Sequence, residues 1–495
     1  MWAVSLVVAC GFLPLLVLVP APLADWPSHL ARVGIADQVL NGNPFWSERY
    51  QFNSLLIPNA VLDAVILGFM RLGLSIDQAG LAFLALCYGA FMFGFVRLSR
   101  VHGVPPVIAA ASGSALFLTG NMVDGLLNYT AGIAASLIAF SFWCPPRASL
   151  GKRLAIALIA TPLIMFCHIV AALVFAGVCA CHDLFGPAQR WRDRLLNVAP
   201  ASFALALGVA GYTLSAASGD NVHQLVYRNR TSLLGALNGK FHVVLEALTS
   251  GNQVADAIAA VLLTLFACLA WRARARISLQ SAAPVAALTM LAMLAPNSVG
   301  DGSLLDFRLC ILPLMFAMAT FPGWGTDSGP LTWWYGAAAL ARAGVLAVAW
   351  SSYGPVYADL ERQLAALPAG STLLAAYGDA GSSFYEGLQP PLWNSASLAT
   401  RYGIFVPSVF ASATQQPLAV KPEWRPAWLW SHYGNARTPE RLAALRDAAS
   451  RLCSTDPNVF LFVLYSGSDG PASGQERLHG LGRTRTSVLN VCGER

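Results

Sequence analysis

A short polar stretch after the first apolar run of the chain carries several residue types that can do chemistry. The stretch reads PAPLADWPSHLAR and contains a carboxylate at Asp25, an imidazole at His29 and a guanidinium at Arg32. A carboxylate within hydrogen-bond reach of a hydroxyl can take its proton as a general base. A guanidinium matches a phosphate group with two parallel hydrogen bonds. These residues are therefore candidates for a polar site at the membrane surface, with groups suited to acid–base chemistry and to anion binding.

The same stretch predicts the start of a helix. Asp25 is a favourable N-cap residue and Pro27 suits the first turn. The apolar residues that follow at helical spacing predict an amphipathic helix on the membrane surface; they are Leu30, Val33, Ala36, Val39 and Leu40. The three polar groups could share one face, at spacings of three and four residues. Two interpretations of the stretch stay open at this point. It is either a helix cap with interfacial anchors or a polar cluster that faces a cavity.

Four more polar residues lie at the ends of apolar runs that we predict to meet on one side of the membrane: Asp124, His168, Asp306 and Arg308. Each has a simpler interpretation alone. Asp124 could be a solvated loop acid, His168 could make a hydrogen bond between helices, and Arg308 could reach to the interface. Charged groups that face lipid are costly, so their predicted convergence favours a polar cavity.

The composition indicates a polytopic membrane protein. Of 495 residues, 56% are hydrophobic and 11% are charged, against about 25% charged in a typical soluble domain. The net charge of +6 comes from short loops, so nucleic acid is not an expected partner. Cys453 and Cys492 lie in the polar tail, where a disulfide could form if that tail is exported.

Apolar runs near the length of a membrane span, about 20 residues, occur eleven times. The predicted spans lie near 3–23, 78–96, 104–120, 128–144, 153–167, 168–182, 197–215, 254–271, 281–296, 308–322 and 330–350. No basic segment precedes the first run, so we expect it to be retained as a helix rather than removed as a signal peptide.

The basic loops orient these spans. Cations cluster in four short loops near residues 97–102, 147–153, 190–194 and 272–276, and such loops are cytoplasmic by the positive-inside rule. Residues 24–77 and 351–495 then both lie outside, provided that 55–74 does not span. A full span there would carry Asp63 near the middle of the bilayer, which is costly. We therefore predict a juxtamembrane or re-entrant helix at 55–74, with a twelfth span as the alternative.

The chain divides into two predicted parts. Residues 1–350 form the transmembrane module, and residues 351–495 form a soluble extracytoplasmic α/β domain. The second part contains strand-like runs, STLLAAY and VFLFVLY, and a helical run, PERLAALRDAASRL. No internal repeat is evident, and a transporter built from duplicated halves is therefore not supported.

This layout resembles the C-type membrane glycosyltransferases, the group of protein O-mannosyltransferases and lipid A aminoarabinose transferases. The run DWPSHLAR resembles the Asp-x-x-x-His-x-x-Arg runs of bacterial members. Asp25 falls at the position of their acid beyond the first span, and Asp124 falls near a second acid. The 216–253 loop follows the predicted seventh span, and LPAGSTLL resembles the opening of their terminal domains.

The resemblance implies sugar transfer from a polyprenyl-phosphate donor to a glycan, lipid or protein acceptor at the outer face of the cytoplasmic membrane. Asp25 would be the base, with Asp124 as a second catalytic acid. The remaining candidates would bind the substrates; they are His29, Arg32, His168, Asp306 and Arg308. The first outer loop lacks paired acids, so a divalent metal ion stays open but is not supported, and no other cofactor is assigned. Trp424, Trp428 and Trp430 are expected in a packed cluster, with stacking on an acceptor sugar as the alternative.

Two other functions remain open from the sequence. A lipid or glycan transporter would carry ionisable groups near the middle of the bilayer. A non-catalytic assembly protein of the cell envelope could keep the transferase scaffold without its activity. The effect of replacing Asp25 in a stable protein distinguishes the enzyme from the assembly protein.

Overall fold

A computed structural model describes most of the chain. The described residues are 2–55, 57–145, 149–186, 191–216, 225–226, 233–272, 277–299, 304–321, 329–379, 394–411, 416–425, 447, 449–453, 456, 458–466, 477–478 and 484–492. Helices dominate up to residue 365, and the part that follows combines strands with short helices.

The α-helices follow one another closely along the chain. They are α1 (Trp2–Phe12), α2 (Trp26–Leu40), α3 (Pro44–Arg49), α4 (Val61–Arg71), α5 (Ile76–Val101), α6 (Pro106–Phe117), α7 (Gly120–Val123), α8 (Leu127–Trp143), α9 (Leu150–Cys167), α10 (Ile169–Leu184), α11 (Trp191–Ala216), α12 (Leu233–Leu248), α13 (Gln253–Arg272), α14 (Leu279–Leu294), α15 (Leu305–Cys310), α16 (Leu312–Thr320), α17 (Gly329–Ser351) and α18 (Gly354–Ala365).

Several of these helices have the composition of membrane spans. Among the described residues, Ile76–Val101, Leu150–Cys167 and Gln253–Trp271 are long and apolar enough to cross a bilayer by length and composition. Shorter apolar helices accompany them, among them Pro106–Phe117 and Leu127–Trp143. The chain is a multi-pass helical membrane protein, and the number of eleven spans stays a prediction.

The stretch 55–74, which could have been a twelfth span, contains only the short helix α4 among its described residues. Its helix α4 has 11 residues and a length of about 16 Å, against about 30 Å of hydrocarbon. Unlike α6 and α8, α4 is not among the described helices whose composition suits a membrane span, which favours the juxtamembrane interpretation over a twelfth span. The other predicted juxtamembrane helix, near 26–41, is α2.

The helix α2 is not the amphipathic surface helix that its apolar spacing predicts. Leu30, Val33 and Ala36 on the predicted stripe are buried, and so is Ile35, which lies off that stripe. The helix packs against α4 and α5 on one side and against the C-terminal part of the chain on the other. Tertiary contacts thus cover the side that the sequence pattern leaves for solvent.

Close packing and the buried guanidinium of Arg342 both contribute to holding the bundle together. Helices α5 and α8 approach closely at Gly94, where a Cβ atom would come within 2.8 Å of the backbone nitrogen of Ile138. Arg342 on α17 is 2% exposed, and it donates hydrogen bonds to the backbone oxygens of Ala115, Leu118 and Ala255. Its guanidinium therefore ties α17 to α13 and to the end of α6.

The strands are β1 (Tyr50–Phe52), β2 (Leu225–Val226), β3 (Ser298–Val299), β4 (Thr372–Asp379), β5 (Leu418–Val420), β6 (Val459–Ser466), β7 (Arg477–Leu478) and β8 (Thr484–Asn490). The main sheet has the order β4-β6-β8-β7, with β4 and β6 parallel and the other pairs antiparallel. Both predicted strands, STLLAAY and VFLFVLY, lie in this sheet. Most of the predicted helix PERLAALRDAASRL lies outside the described residues.

A disulfide between Cys453 and Cys492 joins the segment before β6 to the end of β8. The two cysteines that the sequence singles out are therefore paired, 39 residues apart. This bond is consistent with an oxidising compartment for the tail.

The C-terminal part docks on the segment between α2 and α4 through a strand pair and an aromatic cluster. Strands β1 and β5 are antiparallel, with Tyr50 opposite Val420. Beside them the Arg49 guanidinium lies 4.0 Å from the ring centre of Phe45 and 4.6 Å from that of Trp424. Trp424 thus belongs to a packed cluster, as predicted; Trp428 and Trp430 lie outside the described residues.

Candidate active site

Asp25 begins α2, yet its side chain does not cap that helix. Its backbone is helical (φ −89°, ψ −6°), and its carboxylate makes no capping hydrogen bond. The oxygen Oδ1 instead accepts a hydrogen bond of 3.1 Å from the side-chain amide of Asn394. The cap interpretation of Asp25 is therefore not supported by the geometry.

The electrostatic environment of Asp25 suits a base at neutral pH. Burial raises the pKa of its carboxyl to about 7, while the charges of Arg308 and Arg32 oppose that rise. Desolvation disfavours the charged form, and the two guanidinium groups favour it. A base with a pKa near the working pH transfers protons most effectively.

The loop after α7 lies directly against Asp25. The backbone N–H of Asp25 donates to the carbonyl oxygen of Asp124 at 3.2 Å, and the N–H of Ala24 donates to that of Val123 at 2.8 Å. Gly125 has a φ of +79°, and a Cβ atom there would lie 2.8 Å from the Asp25 nitrogen. Only glycine combines that backbone conformation with so close an approach. The backbone thus brings Asp124 beside Asp25.

His29 lies one turn along α2 and is buried. Its Nε2 lies 3.2 Å from the carbonyl oxygen of Gly125. A carbonyl can only accept, so Nε2 carries the ring proton and Nδ1 is the free acceptor. That Nδ1 is buried without a partner among the described residues. Burial, and then the charge of Arg32, hold the pKa of His29 well below its usual range, so the ring is neutral.

Arg32 has a partner that the sequence analysis does not assign to it. Its Nε and one terminal nitrogen each donate to an oxygen of Asp63 at 2.7 Å, and both side chains are fully buried. The pair joins α2 to the first turn of α4 and neutralises the Asp63 carboxylate. The remaining terminal nitrogen, Nη1, is buried without a partner among the described residues.

Arg308 on α15 provides the second cation near Asp25. Its backbone oxygen accepts hydrogen bonds from the Tyr129 hydroxyl at 2.7 Å and from the Asn121 amide at 3.3 Å, which fixes the position of the residue. Its Nε is buried without a partner in the described part of the chain. Its charge acts on Asp25, Tyr129 and His168, so it lies among the predicted site residues.

His168 lies at the break between α9 and α10, as expected from the two adjacent predicted spans. Its Nδ1 accepts a hydrogen bond from the backbone N–H of Val170 at 3.2 Å and caps α10. The proton of the neutral ring is therefore on Nε2. The imidazole also makes an edge contact with Tyr129, with 5.2 Å between ring centres.

Asp306 serves a different partner from its neighbour Arg308. Its carboxylate is fully buried and lies 3.0 Å from the ammonium group of Lys240 on α12. Lys240 also donates to the backbone oxygen of Ala295. The ion pair thus anchors α15 to α12, which positions Arg308 beside it.

The structure therefore brings Asp25, His29, Arg32, His168 and Arg308 together, with the backbone of Asp124 beside them. Sequence reasoning misses Asn394, Lys240, Asn128 and Tyr129. The last two are adjacent in LLNYTAG, a polar pair at the start of a span, which is a signal that could have drawn attention to them. Asn394 and Lys240 have no comparable local signal.

Asn128 illustrates how the site is supported. Its side chain accepts a hydrogen bond from the backbone N–H of Leu62 at 3.0 Å and donates to the backbone oxygen of Asn59. It thus satisfies backbone groups at the start of α4, which carries Asp63. No group of three or more metal-ligating side chains occurs among the described residues.

The fold and site together describe a helical membrane protein with a half-buried acid at one end of its bundle. Two cationic donors near that acid have no partner among the described residues. Among solved structures, the chain is similar to ArnT from Cupriavidus metallidurans in the apo state, at 12% identity and a TM-score of 0.48, over 94% of this chain and 93% of that one. It is also similar to the same protein bound to undecaprenyl phosphate, at 12% identity and a TM-score of 0.49, over 98% and 97% of the two chains.

ArnT is a lipid A aminoarabinose transferase of the C type. At 12% identity and TM-scores below 0.5, the likeness carries no argument about the family, site residues, donor or acceptor of this chain. No protein-family model and no curated protein matches the sequence.

Proposed function

We propose that this protein transfers a sugar from a polyprenyl-phosphate donor to an acceptor hydroxyl at the outer face of the membrane. One observation carries the proposal: the half-buried carboxylate of Asp25, whose pKa is raised to about 7, lies within reach of the charge of Arg308 and does not cap its helix. A base and a phosphate-binding cation at one point are what this reaction requires.

The reaction needs one bond to form and one to break. The acceptor oxygen bonds to the anomeric carbon of the sugar while the bond from that carbon to the phosphate oxygen breaks. Asp25 takes the proton of the acceptor hydroxyl, and the polyprenyl phosphate leaves with the negative charge. Arg308 offsets that charge, and its Nε, which has no partner in the described part of the chain, is a donor that a phosphate oxygen would satisfy.

The other residues position these two groups. Asn394 donates to Asp25 and leaves the second carboxylate oxygen free to accept the substrate proton. The Arg32–Asp63 pair fixes α2 against α4, and the Nη1 atom of Arg32 adds a donor near Asp25. The neutral His29 and His168 rings suit hydrogen bonds to sugar hydroxyls or phosphate oxygens. The donor lipid and its outer-leaflet location also belong to this proposal.

The substitution Asp25→Asn tests the proposal, because it removes the base and keeps the size of the side chain. We expect transfer to fall by about 100-fold or more, the usual scale for a lost general base, with little change in stability. The measurement is mass spectrometry of envelope lipids and glycans from cells that carry the wild type or the variant as their only copy. Asp37→Asn is the matched control, since Asp37 lies on the same helix at a solvent-accessible ion pair with Arg71.

A stable Asp25→Asn protein that restores the full envelope profile would contradict the enzyme and favour the non-catalytic assembly protein. A transporter would also keep its activity in the Asp25→Asn variant if Asp25 only lined the transport path. Loss of the product with normal amounts of protein in the membrane supports the transferase.

A further inference from the structure

A groove opens between α8 and α9 at some distance from Asp25. It has a volume of about 410 Å³. Small residues such as Ala139 and Ala155 leave the space, and Phe142, Ile159 and Leu163 extend its apolar wall. Lys152 is the charged residue that lines it. The groove is thus apolar along its length and cationic at one end.

The cationic end lies on the opposite side of the bundle from the candidate active site. Helix α8 begins at Leu127, just after Asp124, and ends at Trp143. Helix α9 returns from Leu150 to His168, whose ring contacts Tyr129 near the start of α8. Lys152 is therefore at the far end of both helices from Asp25.

Two further cations, Arg97 and Arg153, lie at the Lys152 end of the groove. The guanidinium of Arg97 lies 3.8 Å from the ring centre of Phe142, which lines the groove. Arg153 pairs with Asp183 at 3.2 Å. The Nε atoms of Arg97 and Arg153 are both buried without a partner in the described part of the chain. The charges of Arg97, Arg153 and Asp183 all act at Cys144, so these groups form one cluster.

The dimensions of the groove fit one leaflet. Its lining on α9 runs from Lys152 to Ile164, a rise of about 18 Å. Half of a hydrocarbon core of about 30 Å is about 15 Å. An acyl chain whose headgroup lies at Lys152 would therefore reach the end of the groove near the middle of the bilayer.

We propose that the groove between α8 and α9 binds an anionic phospholipid of the leaflet opposite to Asp25, with its phosphate at Lys152 and Arg97. Basic pockets between membrane helices bind anionic headgroups in this way. The tail of a polyprenyl donor is the weaker candidate. The charged phosphate of such a donor would lie at Arg308, on the other side of the bundle. Its apolar tail would then leave the cations Lys152 and Arg97 without an anionic partner.

Native mass spectrometry of the full-length protein in mild detergent tests the proposal, with phosphatidylglycerol and phosphatidylcholine as probes. We expect phosphatidylglycerol to bind at least tenfold more tightly, and the double substitution Lys152→Gln and Arg97→Gln to remove most of that preference. Equal binding of the two lipids by the wild type, or an unchanged preference in the variant, would overturn the proposal.

A second variant, Ala155→Trp, tests the same groove in case the double variant does not fold. Ala155→Trp fills the groove from an exposed position, and Ala260→Trp adds the same bulk to the exposed face of α13. We expect the first to weaken phosphatidylglycerol binding about tenfold and the second to leave it unchanged. If Ala155→Trp weakens undecaprenyl phosphate binding instead, the groove holds the tail of the donor and the proposal is wrong. None of these measurements depends on transferase activity.

Discussion

The Asp25 carboxylate must lose its proton before it can accept one from a substrate. Burial raises its pKa to about 7, so the ionised fraction falls about tenfold for each pH unit below that value. We therefore expect kcat/KM to decline on the acidic side with an apparent pKa near 7. A pH profile of transfer by the purified protein, from pH 5 to 9, measures this limb.

Arg308→Gln should change two measurements at once. Arg308 lowers the pKa of Asp25, so its removal should move the acidic limb to higher pH. It should also weaken the binding of undecaprenyl phosphate, about tenfold or more, because the phosphate loses a charged partner. Native mass spectrometry measures the binding without any assay of transfer. Unchanged binding would exclude Arg308 as the phosphate ligand.

Asn394→Leu should shift the acidic limb of the pH profile of kcat/KM without changing the binding of undecaprenyl phosphate. The amide of Asn394 donates to the carboxylate of Asp25, and a hydrogen bond to the charged form lowers a pKa. Its loss should raise the acidic limb by roughly one pH unit. Asn394→Gln, which keeps the amide, should recover part of the effect. A limb that stays at its wild-type position would show that this bond does not act on the base.

At the scale of single residues, the sequence identifies groups but not their partners. The spacing of Asp25, His29 and Arg32 on one helix was readable because helical periodicity is local. The partner of Arg32 was not, since Asp63 lies on another helix and meets it only after α2 packs against α4. The resemblance to a family led to Asp124, whereas Asn394 has no local pattern and was missed.

At the scale of elements, Arg342 is the clearest determinant of stability. Arg342→Leu leaves the backbone oxygens of Ala115 and Leu118 without this donor at the end of α6, where no further helical turn can satisfy them. We expect a loss of about 2 to 4 kcal/mol, since hydrogen bonds to charged groups are strong and the removed charge also relieves a desolvation cost. Thermal unfolding in detergent measures the change.

Arg71→Leu is the control for that measurement. Arg71 lies at an exposed ion pair with Asp37, and such pairs contribute about 0 to 1 kcal/mol. The two variants should therefore differ clearly in apparent melting temperature. Equal effects would mean that the Arg342 contacts are not important for the packing of α17.

The predictability of the elements follows from how locally each is encoded. Apolar length was sufficient for α5 and α13, whose bounds lie within about five residues of the predicted spans. The strands β4 and β6 followed from the short apolar runs STLLAAY and VFLFVLY. The surroundings of α2 did not, because α4 and α5 cover one side of this helix and the C-terminal part of the chain covers the other. A local pattern cannot show a cover that arises from tertiary contacts.

At the scale of the whole molecule, the pairing of β1 with β5 places the first outer loop and the tail on one side. We predict that this side is extracytoplasmic, from the four basic loops. Glu48→Cys and Lys421→Cys should both react with a membrane-impermeant maleimide added outside intact cells, and Lys152→Cys should not. The wild type corrects for native thiols. If only Lys152→Cys reacts, the predicted orientation is reversed. If only one of Glu48→Cys and Lys421→Cys reacts, the two segments do not lie on the same side of the membrane.

The hydrogen bond between Asp25 and Asn394 joins residues that are 369 positions apart. A ribosome that adds about 5 to 20 residues per second takes roughly 20 to 75 seconds to cover that interval. During this time the first helices are already in the membrane while the partner of Asp25 has not been synthesised. The site therefore cannot be complete on the growing chain. Any early fragment released by a stalled ribosome would lack it, so the proposed activity belongs to finished molecules.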